Sequence, residues 1–187
     1  MFVSTSQMHL ASNTVINSAR TIGKIVSATL IALTLGACST TQFVLPTAQE
    51  KFAFETAITN DLAATAELPL EEEAIYLHLE SFLVSHPTVF GSTYSLDPAA
   101  TGKTLAPYVY RVKGKLTRRD LTLDGYDYAH QSWFTQPFTS GAAIWSAPYF
   151  DAGGGDIEMV TYSVPVTKDG KTIGVLTADF EVLLKTK

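Results

Sequence analysis

The chain has 187 residues, of which 46% are hydrophobic and 17% charged, and it contains one cysteine. This composition excludes both a disordered polymer and a disulfide-stabilised scaffold, and the length allows one globular domain. Thirteen basic and 18 acidic residues give a formal net charge of −5. The charge argues against nucleic acid as a partner, because a general nucleic-acid binder needs a basic face.

The first 37 residues differ in composition from the rest of the chain. They contain no acidic residue, and Arg20 and Lys24 precede an apolar run from Ile25 to Ala37. A basic stretch followed by an apolar one is typical of a signal peptide. The apolar run has 13 residues, fewer than the roughly 20 that a membrane-spanning helix needs. We therefore predict that residues 1–37 are a signal peptide that is removed.

The segment ends in Leu35-Gly36-Ala37-Cys38, which resembles the lipobox of bacterial lipoproteins. The resemblance implies that Cys38 is lipidated and that the chain is anchored in the cell envelope, facing the periplasm. Residues 39–46 show no periodicity, so we predict that residues 38–47 are the lipidated cysteine and a short irregular tether. Ser39 follows the cysteine in place of Asp, which favours the outer membrane if the cell is Gram-negative. The alternative is that Cys38 is an ordinary small apolar residue.

Residues 48–187 are expected to form a single domain that begins with two helices. Phe54, Ile58 and Leu62 recur at a spacing of four, which predicts an amphipathic helix over 48–66. A second apolar repeat behind an acidic first turn predicts another helix over 70–85.

Beyond residue 87 the sequence consists of short β-branched and aromatic runs separated by turn residues, a pattern typical of an antiparallel sheet. We expect a short helix or helical turn over Tyr126–Phe134, an extended segment over Ala143–Tyr149 and a loop over Asp151–Asp156. The predicted strands are Val89–Ser95, Leu105–Val112, Leu116–Leu123, Met159–Thr167 and Thr172–Asp179.

Asp169-Gly170 lies between the last two runs and predicts a two-residue hairpin turn, because both central residues of such a turn need positive φ. The turn pairs Lys168 with Lys171. Continued along both strands, this register places eight residues on one face of the sheet; the pairs are Val166–Ile173, Val164–Val175, Tyr162–Thr177 and Val160–Asp179.

In that register Tyr162 is the diagonal neighbour of Asp179 on a mostly apolar face. A carboxylate there needs a partner, because desolvating an unpaired charge costs several kcal/mol. Either the protein or a ligand supplies that partner. Alternatively, Asp179 ends the strand in water or caps a helix over Phe180–Leu184.

Four segments in sequence order resemble a Cache domain, the extracytoplasmic PAS-like sensing module of bacterial chemoreceptors and sensor kinases. They are Tyr126–Phe134, Trp145–Tyr149, Thr161–Val166 and Gly174–Asp179. The resemblance covers residues 48–184 and implies an α+β fold, with an antiparallel sheet, a long N-terminal helix and a second helix packed beside it.

The amino-acid-sensing subset of that family carries a Tyr, an Arg, a Trp-Tyr pair, and a later Tyr and Asp. Carried onto this sequence, the pattern implies a ligand site formed by Tyr126, Gln131, Trp133, Phe134, Tyr162 and Asp179, with Trp145 and Tyr149 at the pocket edge. Gln131 replaces the Arg that would bind an α-carboxylate, and a neutral amide cannot supply that charge. Phe134 replaces a Tyr and lacks its hydroxyl.

The matching positions imply a ligand with an amine or a quaternary ammonium group facing Asp179, and an ordinary amino acid is less favoured. Alternatively, Trp133 and Phe134 are core aromatics that contact no ligand.

No metal, cofactor or catalytic group is predicted. The four histidines show no metal-ligand spacing, and no serine has an identifiable base. We expect a small-molecule sensor that acts through a separate membrane receptor or sensor kinase, since no output domain follows Asp179 in this sequence. The alternative is an envelope lipoprotein that uses the same fold as a protein-docking surface.

Overall fold

The computed structural model describes residues 41–186, so the predicted signal peptide and Cys38 lie outside the described residues. The helices are α1 (Ala48–Ala66), α2 (Glu72–Ser85), α3 (Pro98–Thr101) and α4 (Ser132–Ser140), and a 3-10 turn covers Tyr128–His130. Helix α1 has the predicted bounds, and α2 begins two residues later than predicted. Within residues 41–186, none of the helices combines the length and apolar character needed to cross a bilayer.

The strands pair antiparallel throughout. Strands β2–β8 form one sheet, in the order β4-β3-β2-β8-β7-β5 with β6 also paired to β7, and β1 pairs with β9 in a separate two-stranded ribbon. The predicted α+β class is confirmed. The strand bounds are β1 Thr41–Val44, β2 Gly91–Leu96, β3 Pro107–Val112, β4 Lys115–Asp120, β5 Ile144–Trp145, β6 Tyr149–Phe150, β7 Glu158–Lys168, β8 Lys171–Glu181 and β9 Leu183–Thr186.

The start of α1 is fixed by a capping box. The Thr47 hydroxyl accepts a hydrogen bond from the Glu50 backbone N–H at 3.2 Å, and the Glu50 carboxylate accepts one from the Thr47 backbone N–H at 2.8 Å. Two backbone donors that a helix start leaves unpaired are thereby satisfied. This local pairing explains why the helix begins at residue 48.

Helices α1 and α2 cover one face of the sheet, which we call the helical face. Its core is fully buried and contains Ile58, Ile75, Leu79 and Leu83 from the helices and Leu176 from β8. Burial of each such side chain contributes roughly 1.5 to 3 kcal/mol. The opposite face, which we call the pocket face, carries a second buried cluster of mostly aromatic side chains from β3, α4 and the 3-10 turn.

The β7–β8 hairpin has the predicted turn but not the predicted register. Asp169 and Gly170 have φ angles of 51° and 75°, and Lys168 pairs with Lys171 as expected. Ile173 is then an extra residue, so the strand contains a β-bulge and Val166 pairs with Gly174. From that point each pair is shifted by one residue.

The shifted register reverses the predicted relation between Tyr162 and Asp179. Tyr162 lies opposite Ala178, and Thr161 lies opposite Asp179. Because successive side chains of a strand point to alternate faces of the sheet, a shift of one residue exchanges which side chains of one strand share a face with those of the other. Tyr162 therefore lies on the helical face and Asp179 on the pocket face, and the prediction that the two share a face is wrong.

Two further local expectations are corrected and a third is confirmed. Thr41–Val44, predicted as irregular tether, forms β1. Phe180–Leu184 is extended, because β8 runs to Glu181 and β9 follows, so Asp179 caps no helix. The short helix predicted over Tyr126–Phe134 is the 3-10 turn followed by the beginning of α4.

Candidate functional site

A small cavity lies on the pocket face. Three of the predicted ligand-site residues, Tyr126, Trp133 and Asp179, line this cavity, together with Tyr149 of the predicted pocket edge. Sequence reasoning missed the other lining residues, which are Thr93, Tyr108, Leu121, Asp151 and Thr177.

Asp179 is 4% exposed and ends a chain of hydroxyl groups. The Thr161 hydroxyl donates to Asp179 Oδ1 at 2.9 Å, and the hydroxyl oxygens of Tyr149 and Thr161 are also 2.9 Å apart. A hydroxyl has a single proton, so Tyr149 donates to Thr161 when Thr161 donates to Asp179. The β-bulge makes this arrangement possible, because it places Thr161 opposite Asp179.

The pKa of Asp179 is raised from its ordinary value of 3.8 to about 7, mainly by burial and secondly by the nearby Asp151 carboxylate. The hydrogen bond from Thr161 and the Tyr108 hydroxyl act in the opposite direction. That Tyr108 hydroxyl is buried and lies near Asp179, but no acceptor meets hydrogen-bond geometry with it. The Asp179 carboxyl group therefore keeps its proton to a higher pH than an ordinary aspartic acid does.

Asp151 brings a second carboxylate to the cavity and is 7% exposed. Its Oδ1 accepts from the Tyr126 hydroxyl at 2.8 Å and its Oδ2 from the Gly155 backbone N–H at 2.7 Å. The Trp133 indole donates to the Tyr126 hydroxyl oxygen at 3.0 Å, so the Tyr126 proton remains directed at Asp151. Burial, together with the Asp151 charge, raises the pKa of Tyr126 well above its ordinary value.

The loop between β6 and β7, residues 151–157, contributes Asp151 to the cavity wall. Its tight fold requires glycine at position 154, where an added Cβ would lie 2.0 Å from Asp151 Oδ2. The Asp156 carboxylate accepts from the Gly153 backbone N–H at 2.8 Å and from Arg119 of β4 at 3.0 Å. These contacts connect the loop to the sheet edge and hold Asp151 in place.

The cavity has a volume of about 10 Å³, which is about the room one water molecule needs. Two carboxylates and several hydroxyl groups face it, and none of the lining residues is Lys or Arg. This chemistry suits a cation. A ligand larger than water requires the loop or the side chains to move outward.

The remaining predicted residues lie outside this cavity. Gln131 is half-buried at the start of α4, and Phe134 packs against Tyr128 and Phe138 in the aromatic cluster. Tyr162 packs against Trp145 at a ring-centre distance of 5.1 Å on the helical face.

Trp145 was predicted to lie at the edge of the pocket, but it contacts the first helix. Its indole donates to Glu55 of α1 at 2.8 Å, and its ring meets Phe54 edge-on at 6.2 Å. It also borders a separate surface depression with Trp133 and Tyr149. Its contacts with α1 are structural, and it does not line the cavity at Asp179.

An antiparallel sheet with helices on one face and a small polar cavity on the other defines a PAS-like sensor domain. Residues 75–183 match the family described as methyl-accepting chemotaxis protein-like, first PDC sensor domain. The chain belongs to this family, and the Cache-like character expected from the sequence is confirmed. Comparison with curated proteins gives no significant match.

Similar solved structures include the extracellular domain of a sensor kinase and the ligand-binding domain of a chemoreceptor. The chain is 29% identical to the extracellular domain of soHK1S-Z6, assigned as a histidine kinase, with a TM-score of 0.60 over 70% of this chain and 54% of that one. It is 20% identical to the ligand-binding domain of the Campylobacter jejuni chemoreceptor Tlp3 in complex with L-valine, with a TM-score of 0.54 over 67% and 50% of the two chains. The chain thus spans about half the length of these relatives.

Proposed function

We propose that this protein is a lipid-anchored extracytoplasmic sensor whose cavity binds a small ligand through an amine or quaternary ammonium group. The observation that carries the proposal is the pair of buried carboxylates, Asp151 and Asp179, in a cavity lined by no basic side chain. A charged hydrogen bond to an ammonium group contributes roughly 1.5 to 3 kcal/mol, and an aromatic face adds about 0.5 to 2. Tyr126 and Trp133 supply such faces. The proposal contains no catalytic step.

The absence of a basic group sets the expected selectivity. The Tlp3 domain was crystallised with L-valine, an α-amino acid. In this chain, the carboxylate of an amino acid would join Asp151 and Asp179 with no lining cation to balance it, and Gln131 stands where the related pattern has Arg. We therefore expect amines that lack a carboxylate to bind more tightly than the matching amino acids.

Binding requires the cavity to open. The closed volume of about 10 Å³ does not admit an alkylamine, and Asp151 holds the loop through Tyr126 and Gly155. A ligand ammonium group that donates to Asp151 replaces one of these bonds and shifts the loop. The ligand thereby favours one of two loop positions, and a difference of this kind is what a signalling partner detects. We propose a separate membrane receptor or sensor kinase as that partner.

Calorimetry with the mature chain tests the ligand assignment. A thermal-shift screen of primary amines, polyamines, choline-like compounds, amino acids and small carboxylates identifies the ligand, which at 100 times its dissociation constant stabilises the fold by about 2.7 kcal/mol. Asp179→Ala is expected to abolish amine binding. Asp127→Ala removes an exposed carboxylate near the same segment and is expected to leave binding intact. Unchanged amine affinity in Asp179→Ala would contradict the assignment.

The nearly closed cavity also supports the alternative, an envelope lipoprotein that docks to another protein through this fold. A screen in which no compound shifts the melting temperature would favour that reading. The lipid anchor is tested separately by membrane fractionation. Cys38→Ser is expected to release the protein from the membrane fraction, and unchanged fractionation would exclude the anchor.

A further inference from the structure

The β1–β9 ribbon exposes an unusual amount of apolar surface. Four ribbon residues, and Leu45 directly after β1, are each at least 36% exposed, and two of these five exceed 55%. They are Phe43, Val44, Leu45, Leu183 and Leu184, and they make up five of the eleven large hydrophobic side chains that are exposed among the described residues. A contiguous exposed patch of this kind marks an interaction surface more often than a solvated one.

Each face of the ribbon carries one pair of large apolar side chains. Phe43 lies opposite Leu184, and Val44 lies opposite Leu183, so one pair occupies each face of the two-stranded ribbon. A protein that docks on one face leaves the other in water. Immersion in the surface of a bilayer covers both faces at once, so the ribbon fits a lipid surface better than a one-sided partner.

The distribution of charge also favours a lipid surface as the partner of the ribbon. Residues 38–187 contain 11 basic and 18 acidic residues and so carry a net charge of −7. The two ribbon strands contain no acidic residue and one basic residue, Lys185. An anionic membrane repels most of this domain but does not repel the ribbon.

The position of the ribbon in the chain supplies the remaining argument. Two residues, Ser39 and Thr40, separate Thr41 from Cys38, so the two positions are at most about 10 Å apart when the chain is fully extended. We propose that the β1–β9 ribbon inserts shallowly into the membrane that holds the acyl chains of Cys38. This inference rests on the proposed lipid anchor. The free edges of the ribbon limit its depth to the headgroup region, because unpaired backbone groups are not tolerated in the hydrocarbon core.

Insertion would fix the orientation of the sensor on the membrane. Strand β8, which carries Asp179, is separated from β9 by Val182 alone. Four residues of extended chain, about 13 Å, connect Asp179 to Leu183. The pocket strand would then be tied directly to the membrane surface.

Site-specific fluorescence in the lipidated full chain tests the proposal. Acylation blocks the only native thiol, so a cysteine introduced by F43C or V44C is the one free site for an NBD label. Residues 43 and 44 lie on opposite faces of the ribbon. In vesicles of phosphatidylethanolamine and phosphatidylglycerol, both labels are expected to emit at shorter wavelength and to lose most of their quenching by aqueous iodide.

Leu123 provides the matched control. It is 58% exposed and follows β4, whose end pairs with the start of β3 at the opposite end of the sheet. The label in L123C is expected to remain water-like, and equal shielding there would overturn the proposal. Shielding at position 43 without position 44 would indicate a one-sided protein contact and would also overturn it.

Mass spectrometry of the protein shows whether Cys38 is acylated and so distinguishes failure of the ribbon proposal from failure of the anchor proposal. Anchored, acylated protein with water-like labels at positions 43 and 44 overturns the ribbon proposal alone. A chain without acyl groups on Cys38 overturns the ribbon proposal and the anchor together.

Discussion

Asp179→Asn tests the electrostatics of the cavity directly. Asn has nearly the same size and its Oδ1 can still accept from Thr161, but it carries no charge. In the native protein the pKa of Asp179 rises from 3.8 to about 7, so the folded state holds a proton that the unfolded chain has already released. Stability therefore falls as pH rises between about 4 and 7. The loss is about 1.4 kcal/mol per pH unit, or about 4 kcal/mol over the interval.

The substitution is expected to abolish this pH dependence. At pH 4 the native protein and Asp179→Asn should have similar free energies of unfolding, because this pH is close to the ordinary pKa of 3.8 and little of the pH-dependent loss of stability has yet developed. At pH 8 the free energy of unfolding of the variant should exceed that of the native protein by a few kcal/mol, and by at most about 4 kcal/mol. For a domain of this size, 4 kcal/mol corresponds to roughly 10 °C in melting temperature. The measurement is urea unfolding of residues 39–187, which contain every core residue, at unit steps from pH 4 to pH 8.

The informative quantity is the difference between the two proteins, since all other groups titrate in both. Asp127→Asn serves as the matched control, because that carboxylate is 62% exposed, and its curve should run parallel to the native one. If Asp179→Asn also runs parallel, or is the less stable protein at pH 8, the account of a buried and poorly compensated carboxylate is refuted.

Three further predictions concern the loop, the first helix and the helical face. Gly154→Ala should lower the melting temperature, since its Cβ would overlap the Asp151 carboxylate of the same loop; an unchanged value would show that the loop adapts freely. Thr47→Ala should lower the free energy of unfolding by about 1 kcal/mol, because the capping box is lost. Thr59→Ala, which changes an exposed threonine inside the helix, should lower it less, and equal urea midpoints for the two variants would contradict this. Tyr162→Phe should leave amine affinity in calorimetry unchanged, whereas Tyr126→Phe should alter it, and the reverse order would place the site on the helical face.

Much of the fold follows from local sequence patterns. The spacing of Phe54, Ile58 and Leu62 predicts α1, and the Thr47-Glu50 pair fixes its start. The Asp169-Gly170 dipeptide specifies the hairpin turn, because positive φ at both positions is a local requirement. Such features involve residues within one turn of each other and need no knowledge of the tertiary structure.

The register error has an identifiable cause. A two-residue turn fixes the pairing near the turn but cannot exclude an extra residue farther along the strand. The structure inserts Ile173, next to Gly174, whose added Cβ would lie 2.4 Å from the Ser95 backbone oxygen. An isolated glycine inside a strand is a known indication of a bulge or of close backbone approach. That single residue decides which aromatic side chains share a face with Asp179.

Asp151 was missed for a different reason. It follows the short strand β6 and precedes three glycines, so the sequence indicates only a loop. Its role depends on Tyr126, which lies 25 residues earlier and is brought close by the packing of the pocket face. Contacts of this kind arise from the tertiary fold and leave no local pattern.

The two carboxylates connect the stability of the domain to its proposed function. A buried anion without a cationic partner destabilises the closed domain as pH rises, and the carboxyl group responds by retaining its proton. A ligand ammonium group supplies the missing charge, releases that proton and stabilises the ionised form. Amine affinity should therefore increase as pH rises through the pKa of Asp179, up to the pH at which the ligand itself loses its charge. The destabilisation measured by Asp179→Asn and the affinity measured by calorimetry are thus expected to arise from the same carboxyl group.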